Sequence, residues 1–493
     1  MMWLLLPAFA GDPEIPAAPT DAGTPPAEGT APTGPDRSHP PDVLAPEPLA
    51  LDDLTRHELG EGLDAWYVRV PRVRKVTVDI SWWAGRVDLA DHMDPTHSVM
   101  ASTWRLASEK YDGAALSELQ DVLDMELWAY LGDHRAGAGL TIPLDDLGKG
   151  LDILADVVLH PTFPGRELKL DKEETARYYD ILGPASPARV AGAALTYAWN
   201  PAEHPYGYRP DPEGYAKVKR GAAVAAHQKV LAEGPVSILV VGDLPWEEIE
   251  PQLKSRFGAL GAPGERSEVL DAPNPTKDRV IAIAMPDAEQ ATLRLRIPAP
   301  SRDDALNPGM EAVSYALGGH FLARLNKNLR EDKGWTYGVG AWYSAGDKRG
   351  SFNVSVDVPA ERFADAVTEI EKEIGTVVAE GVTDEEIDAW WRAEVMEYNT
   401  VRGTADDAYG FYNGLLDEEE TVADVLARID AADAMTVEAS AKAAAAILGD
   451  DAPRVWVVAG PKEAVQAGLD TLGWEAEWVT PRDAILGRLK GGL

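Results

Sequence analysis

Residues 76–82 read VTVDISW, and residues 291–297 read ATLRLRI. In both stretches apolar and polar side chains alternate, which is the pattern of a β-strand. A helical face of apolar side chains follows each strand, within residues 147–158 in the first case and 363–374 in the second. The order strand, then helix, therefore occurs twice in the chain.

Each half also ends with a buried strand, VSILVV at 236–241 and VWVVAG at 455–460. Matching elements lie roughly 215–218 residues apart, which indicates a duplicated unit. Strand runs and helix pairs are segregated rather than strictly alternating, and this favours α+β layers over a doubly wound sheet. The predicted fold class is α+β, with two homologous α/β layered domains, each an antiparallel-rich sheet packed with helices.

Composition divides the chain into five segments. Residues 1–10, MMWLLLPAFA, end in an A-x-A-like site and resemble the end of a signal peptide, although a basic n-region is absent. Residues 11–47 are rich in Pro, Ala, Gly and Thr and predict a disordered linker. We expect an N-terminal domain at 48–262, an inter-domain linker at 263–278 and a C-terminal domain at 279–493. An apolar N-terminus without a targeting role is the alternative interpretation of the first segment.

Charge and cysteine content exclude several classes of function. The 493 residues carry a net charge of -36, which repels nucleic acid and anionic lipid and would attract basic peptides. Solubility alone is an equally good explanation of this acidity. There is no cysteine, so disulfides, thiolate metal sites and cysteine nucleophiles are excluded. No stretch approaches the roughly 20 apolar residues of a transmembrane helix.

Three motifs carry a family resemblance. They are WWAGRVD at 82–88, HPYG at 204–207, and the stretch 322–337 that contains ARL and then LREDKGWTY. In order and spacing they resemble the AGS-x-D-E, HPYG and RL…LRE-x-x-G-L-x-Y elements of the insulinase/pitrilysin (mitochondrial processing peptidase) family. The resemblance covers about residues 48–493 and implies the duplicated fold of that family.

The resemblance also implies a place for a zinc site, and the sequence departs from the family there. Active members use H-x-x-E-H on a helix, in which the two His bind zinc and the Glu acts on the bound water. The corresponding segment reads HSVMA, so His97 keeps the first ligand, Met100 stands at the base position and Ala101 at the second ligand position. The position of the downstream Glu ligand falls near Asp180, after Glu173. The motif is therefore degenerate, and no complete catalytic or metal site is expected in this chain.

Ordinary structural roles account for these residues as well. One imidazole and one carboxylate cannot hold catalytic zinc tightly or activate water. His97 is interpreted as a helix-start or core histidine, and Glu173 and Glu174 as solvated helix charges.

A second set of family residues is retained. Active members use an Arg and a Tyr seven residues apart to bind the peptide backbone and stabilise the tetrahedral intermediate, and these match Arg330 and Tyr337. We expect Arg330 to end a helix beginning near Met310 and Tyr337 to open the next strand. The alternative is that Arg330 caps a helix C-terminus and Tyr337 is a half-buried strand aromatic.

The leading hypothesis is a non-catalytic, substrate-binding subunit of a heterodimeric zinc metallopeptidase, not active alone. It would bind no cofactor itself, since zinc is expected in a homologous partner subunit, and its substrates would be peptides, including basic ones. Alternatives are a structural scaffold subunit, a stand-alone peptide-binding protein, and an active hydrolase with an unrecognised metal site. The predicted location is the bacterial periplasm or envelope.

Overall fold

The computed structural model describes residues 51–490 except positions 233 and 267. All of these residues belong to one compact unit, 46–493. The predicted signal-peptide remnant at 1–10 and the predicted linker at 11–47 lie outside the described residues.

Within the described residues, the first half contains six strands and eight α-helices. The strands are β1 (Thr55–Gly60), β2 (Leu63–Arg69), β3 (Lys75–Trp82), β4 (Glu126–Leu131), β5 (Ala136–Pro143) and β6 (Val236–Gly242). The helices are α1 (Thr96–Trp104), α2 (Gly113–Val122), α3 (Leu147–Leu159), α4 (Gly165–Arg177), α5 (Pro187–Trp199), α6 (Pro212–Lys217), α7 (Arg220–Ala232) and α8 (Trp246–Phe257). A π-helical turn, Tyr178–Leu182, extends α4.

As far as the structure describes it, the second half contains another six strands and nine α-helices. The strands are β7 (Arg279–Ala284), β8 (Gln290–Ala299), β9 (Val339–Ala345), β10 (Gly350–Pro359), β11 (Val455–Gly460) and β12 (Glu477–Val479). The helices are α9 (Asn307–Ser314), α10 (Arg324–Asn326), α11 (Phe363–Glu380), α12 (Asp384–Thr400), α13 (Ala405–Glu418), α14 (Val422–Asp433), α15 (Val437–Leu448), α16 (Lys462–Leu472) and α17 (Pro481–Ile485).

The two sheets repeat one topology. Their strand orders are β1-β2-β6-β3-β5-β4 and β12-β7-β11-β8-β10-β9. In each sheet one pair of neighbouring strands is parallel, β2 with β6 and β7 with β11. The next three strands in the order, β3-β5-β4 and β8-β10-β9, each run antiparallel to the strand before them. Only the outermost strand differs, since β1 is antiparallel to its neighbour and β12 is parallel. The predicted α+β class and the duplication are therefore confirmed.

Strand β3 is buried on both faces, although its alternating pattern is typical of a half-buried strand. Its apolar side chains enter the first core, while Thr77, Asp79 and Ser81 point to the opposite face and are also buried. Polar groups on a buried face need partners. Thr77 shares a 2.9 Å hydrogen bond with Thr141, and Asp79 accepts one from the indole of Trp128 at 2.9 Å.

That opposite face is covered by a helix from the other half. Helix α13 packs its side chains against β2 and β6, joining Tyr412 and Leu415 to Val68 and Val241 in one apolar cluster. In the same way α5, from the first half, packs on the second sheet. Burying one such side chain stabilises the fold by roughly 1.5–3 kcal/mol. Each half therefore contributes a helix to the sheet of the other half. The division into two domains at residues 263–278 stays a prediction.

Among the described residues, no helix combines the length and the apolar character that a membrane crossing requires.

Candidate functional site

Helix α1 carries the segment that corresponds to the zinc motif. It begins at Thr96 after Pro95, and His97 lies partly buried in its first turn. Met100 is 0% exposed and belongs to the first hydrophobic core, together with Trp104. Ala101 is 7% exposed and offers no donor atom. The position of the catalytic base thus faces an apolar core.

The downstream residues do not complete a metal site either. Asp180 lies in the π-helical turn after α4 and accepts hydrogen bonds from Arg482 on α17, at 2.9 and 3.2 Å. Glu173 forms an exposed ion pair with Lys169 at 3.7 Å. Both carboxylates are therefore directed to basic side chains on the surface.

The residues at this place do not fit catalytic zinc. A catalytic zinc needs about three protein ligands with an open position. Within the part of the chain that the structure describes, no group of three or more His, Asp or Glu side chains is arranged to hold a metal ion. His92, the nearest other imidazole in sequence, is hydrogen-bonded through Nε2 to the carbonyl of Ala202 at 3.1 Å. No chemical step through zinc follows from this chain's own residues.

The HPYG segment has a structural role that the sequence did not predict. The Tyr206 hydroxyl accepts a hydrogen bond from the backbone N–H of Leu270 at 3.0 Å and shares another with His134 at 2.9 Å. The Nε2 atom of His204 lies 2.8 Å from the carbonyl of Asp271. The motif therefore fastens the segment between the halves to the first half.

Arg330 lies in a π-helical segment, Lys327–Asp332, that follows the short helix α10. The helix expected from Met310 to Arg330 is interrupted, because α9 ends at Ser314 and non-helical backbone follows the π-helical turn Tyr315–Gly319. The Arg330 guanidinium stacks over the ring of Phe321, 3.7 Å from its centroid. Its ion pair with Glu331 is long, at 3.6 Å. The charge is thus held by an aromatic face rather than neutralised by a close carboxylate.

Tyr337 precedes β9 and does not open it, since the strand begins at Val339. Its side chain is 95% exposed, so the interpretation as a half-buried strand aromatic does not apply. Phe321 and Leu322 are also exposed, at 62% and 57%. Among the described residues no hydrogen bond joins Arg330 to Tyr337. Tyr337 is exposed, whereas the Arg330 side chain is 28% exposed and its Nη1 atom is buried, so the role of the pair in substrate binding stays a prediction.

A large cavity of about 1520 Å³ lies where residues of the two halves meet. An acidic run, Asp417–Glu420, lines it at the end of α13. Each acid of the run pairs with an arginine from elsewhere in the chain. The pairs are Arg135 with Asp417 at 2.5 Å, Arg302 with Glu418, Arg266 with Glu419 at 2.6 Å, and Arg428 with Glu420 at 2.5 Å.

This run connects three parts of the structure through four arginines. Arg135 comes from the first half, Arg266 from the segment between the halves, and the other two arginines from the second half. Arg266 also lies over the ring of Trp83 at 3.3 Å. Further carboxylates, Glu265, Glu268 and Asp303 among them, leave the lining acidic overall. The sequence signal was the run of four acids, which is typical of a solvated surface and was not singled out.

The carboxyl group of Glu311, close to residues that line this cavity, has a raised pKa. Burial, with the nearby charge of Glu394 as the second cause, raises the pKa of Glu311 to about 7. Glu311 lies on α9, and Arg428, Asn307 and Glu420 also face it. A raised pKa means that the folded state holds the proton more tightly than the unfolded state. The contribution of Glu311 to the free energy of unfolding is therefore fully present below about pH 4.5 and is lost as pH rises through 7.

We expect Glu311→Gln to raise the free energy of unfolding at pH 8 by roughly 3 kcal/mol, because glutamine keeps the shape of the neutral acid. Urea denaturation between pH 4.5 and pH 8 measures this. Wild type should lose stability over that range relative to the variant, and the exposed Glu118→Gln should follow wild type. Parallel pH profiles for wild type and Glu311→Gln would contradict the assignment.

The fold is a duplicated α+β fold, and within the described residues the side chains matched to the zinc motif do not form a metal site. The family described as "Peptidase M16 inactive domain" matches residues 217–390. An uncharacterized zinc protease of Mycobacterium leprae is 24% identical over 355 residues, which cover 68% of this chain and 75% of that protein. These similarities support an insulinase/pitrilysin-like family member, in agreement with the sequence motifs.

Solved structures share the fold. The peptidase M16 inactive domain from Pseudomonas fluorescens aligns with a TM-score of 0.71 at 22% identity, over 84% of this chain and 98% of that chain. The periplasmic protease PqqL of Escherichia coli aligns with a TM-score of 0.68 at 14% identity, over 85% of this chain and 47% of that chain.

Proposed function

We propose that this chain is the non-catalytic, substrate-binding subunit of a heterodimeric zinc metallopeptidase. A homologous partner would carry H-x-x-E-H and the zinc ion, while this chain supplies Arg330, Tyr337 and half of the peptide chamber. The observation that carries the proposal is a contrast within one chain. The position matched to the zinc motif holds a core methionine and an alanine, whereas the Tyr337 side chain is exposed and the Arg330 side chain is partly exposed beside Phe321.

The two retained residues have a chemistry that suits this role. A guanidinium is permanently charged and can donate two hydrogen bonds to a peptide carbonyl or an oxyanion. A tyrosine hydroxyl can donate to the same oxygen. A scaffold subunit would need neither group, and an exposed tyrosine such as Tyr337 contributes little to the stability of the fold.

The acidic cavity supports peptides with basic residues as substrates. Its lining carries more carboxylates than basic groups, and the whole chain has a net charge of -36. Such a field raises the local concentration of cationic ligands. Export to the periplasm or envelope is part of the proposal; it rests on the apolar segment at residues 1–10 and on the likeness to a periplasmic protease.

Reconstitution tests the proposal directly. The purified chain would be assayed for zinc content and for cleavage of peptides, alone and mixed with a homologue from the same genome that carries H-x-x-E-H. We expect the chain alone to be free of stoichiometric zinc and inert, and the mixture to cleave peptides faster than the homologue alone. Zinc binding with activity in the isolated chain would overturn the proposal, and an inert mixture would favour the scaffold alternative.

A further inference from the structure

A second cavity, of about 450 Å³, opens beside helix α1 on the side of Ser98 and Ser102. We propose that this tyrosine pocket binds the cationic side chain of a lysine or arginine residue in a peptide. The pocket is distinct from Arg330 and Tyr337, and the proposal does not depend on a zinc-bearing partner.

Tyrosine is the most frequent residue type in the walls of the pocket. Four tyrosines line it: Tyr178, Tyr179, Tyr208 and Tyr215. A cation within about 6 Å of an aromatic ring centroid is attracted by the ring. Two of these rings already hold a guanidinium of this chain, since Arg86 lies 4.3 Å from the centroid of Tyr208 and Arg189 lies 5.6 Å from that of Tyr178. Those two rings are therefore already occupied, and the rings left for a ligand cation are those of Tyr179 and Tyr215.

Two carboxylates of α4 stand on the same side of the helix as the tyrosine rings. Asp171, Glu174 and Tyr178 are spaced at intervals of three and four residues, which places them on one helical face. Tyr215 donates a hydrogen bond to Asp171 at 2.7 Å and shares another with Ser102 at 2.8 Å. The hydroxyl network fixes the Asp171 carboxylate at the pocket wall.

The negative charge of these carboxylates is not balanced by a direct partner. Across the described residues, neither Asp171 nor Glu174 forms an ion pair with a lysine or arginine. Lys172, the nearest basic residue in sequence, donates instead to the carbonyl of Val218. Burial raises the pKa of Asp171, while the hydrogen bonds from Tyr215 and Ser102 lower it; the charge of Glu174 raises it further and that of Lys172 lowers it. A bound cation would compensate this charge and complete the set of interactions.

The geometry favours a side chain with an apolar stem and a charged head. The methylene groups of lysine or arginine can lie along tyrosine rings while the head reaches the carboxylates. A metal ion fits less well, because no group of three or more acidic or histidine ligands exists among the described residues. The volume of the pocket suits one extended side chain rather than a folded domain.

Calorimetric titration of the full chain with two peptides tests the proposal. One is acetyl-Ala-Ala-Lys-Ala-Ala-amide, and the other has norleucine in place of lysine, which keeps the stem and removes the charge. At physiological salt we expect the lysine peptide to bind at least about tenfold more tightly. Equal affinity for the two peptides, or no binding of either at millimolar concentration, would overturn the proposal.

A matched pair of variants separates this pocket from the rest of an acidic surface. Glu174→Gln removes a carboxylate from the pocket wall, and Glu173→Gln removes the neighbouring carboxylate, which lies outside the pocket and pairs with Lys169. We expect the first to weaken binding of the lysine peptide about fivefold and the second to leave it unchanged. Equal weakening by both would show non-specific attraction and defeat the proposal. Because the assay measures binding to the isolated chain, its failure would leave the proposed subunit role standing.

Discussion

Replacement of Arg330 by alanine is expected to lower the turnover of the reconstituted peptidase complex by about 100-fold or more. The expected loss is large because a charged donor aimed at the developing oxyanion acts mainly in the transition state. The Arg330 side chain is 28% exposed and its ion pair with Glu331 is long, so this ion pair contributes little to the stability of the free chain. The measurement is kcat and KM for one peptide with wild-type and variant subunits at saturating partner.

The contribution of shape can be separated from that of charge. Arg330→Lys keeps the charge but loses the planar two-donor fork, so an intermediate loss is expected. Arg392→Ala is a suitable control, because Arg392 forms an ordinary surface ion pair with Asp388 at 2.8 Å and lies outside the motif. Full activity of the complex containing Arg330→Ala would remove Arg330 from the site and favour the scaffold alternative.

The duplicated α+β fold could be predicted because its signals are local. Alternation in 76–82 and 291–297, followed by helical periodicity at a constant distance, indicates two similar units without any knowledge of their contacts. The helix under residues 97–101 was implied by the family resemblance of this segment, and α1 covers it. Each of these inferences needs only neighbours in sequence.

Contacts between the halves could not be predicted in this way. Asp79 lies on a strand whose polar positions are typical of a solvent face, yet α13 covers that face from more than 300 residues away. The four acids at 417–420 are typical of a solvated helix end, and their arginine partners are scattered from Arg135 to Arg428. Periodicity carries no information about such pairs, because it describes the face of one element and not what packs on it.

The break before Arg330 is a further departure from the periodic expectation. Residues 310–330 contain enough apolar side chains for one helix, but π-helical turns and the extended link around His320 divide it. Such turns are frequent at functional sites and depend on tertiary packing. They place the Arg330 guanidinium over Phe321, an exposed ring outside the motif that the resemblance highlights.

Restoring the acid of the zinc motif by Met100→Glu is expected to destabilise the fold by roughly 4 kcal/mol or more at neutral pH. Met100 is 0% exposed and packs in the first core, where a carboxylate would have no compensating charge. Urea denaturation at pH 5 and pH 8 would measure the free energy of unfolding. The loss in free energy of unfolding relative to wild type should be larger at pH 8, because a buried carboxyl holds its proton more tightly in the folded state.

Met100→Leu provides the matched control, since a swap of similar volume in a core typically costs less than about 1.5 kcal/mol. Wild-type stability of Met100→Glu, or zinc binding by that variant, would mean that the α1 segment can turn its face toward solvent and that the zinc site is close to recovery. The expected result leads to the opposite view. If a core side chain has replaced the base and its surroundings have adapted, the loss of the metal site is built into the packing of the first half, as the proposed subunit role requires.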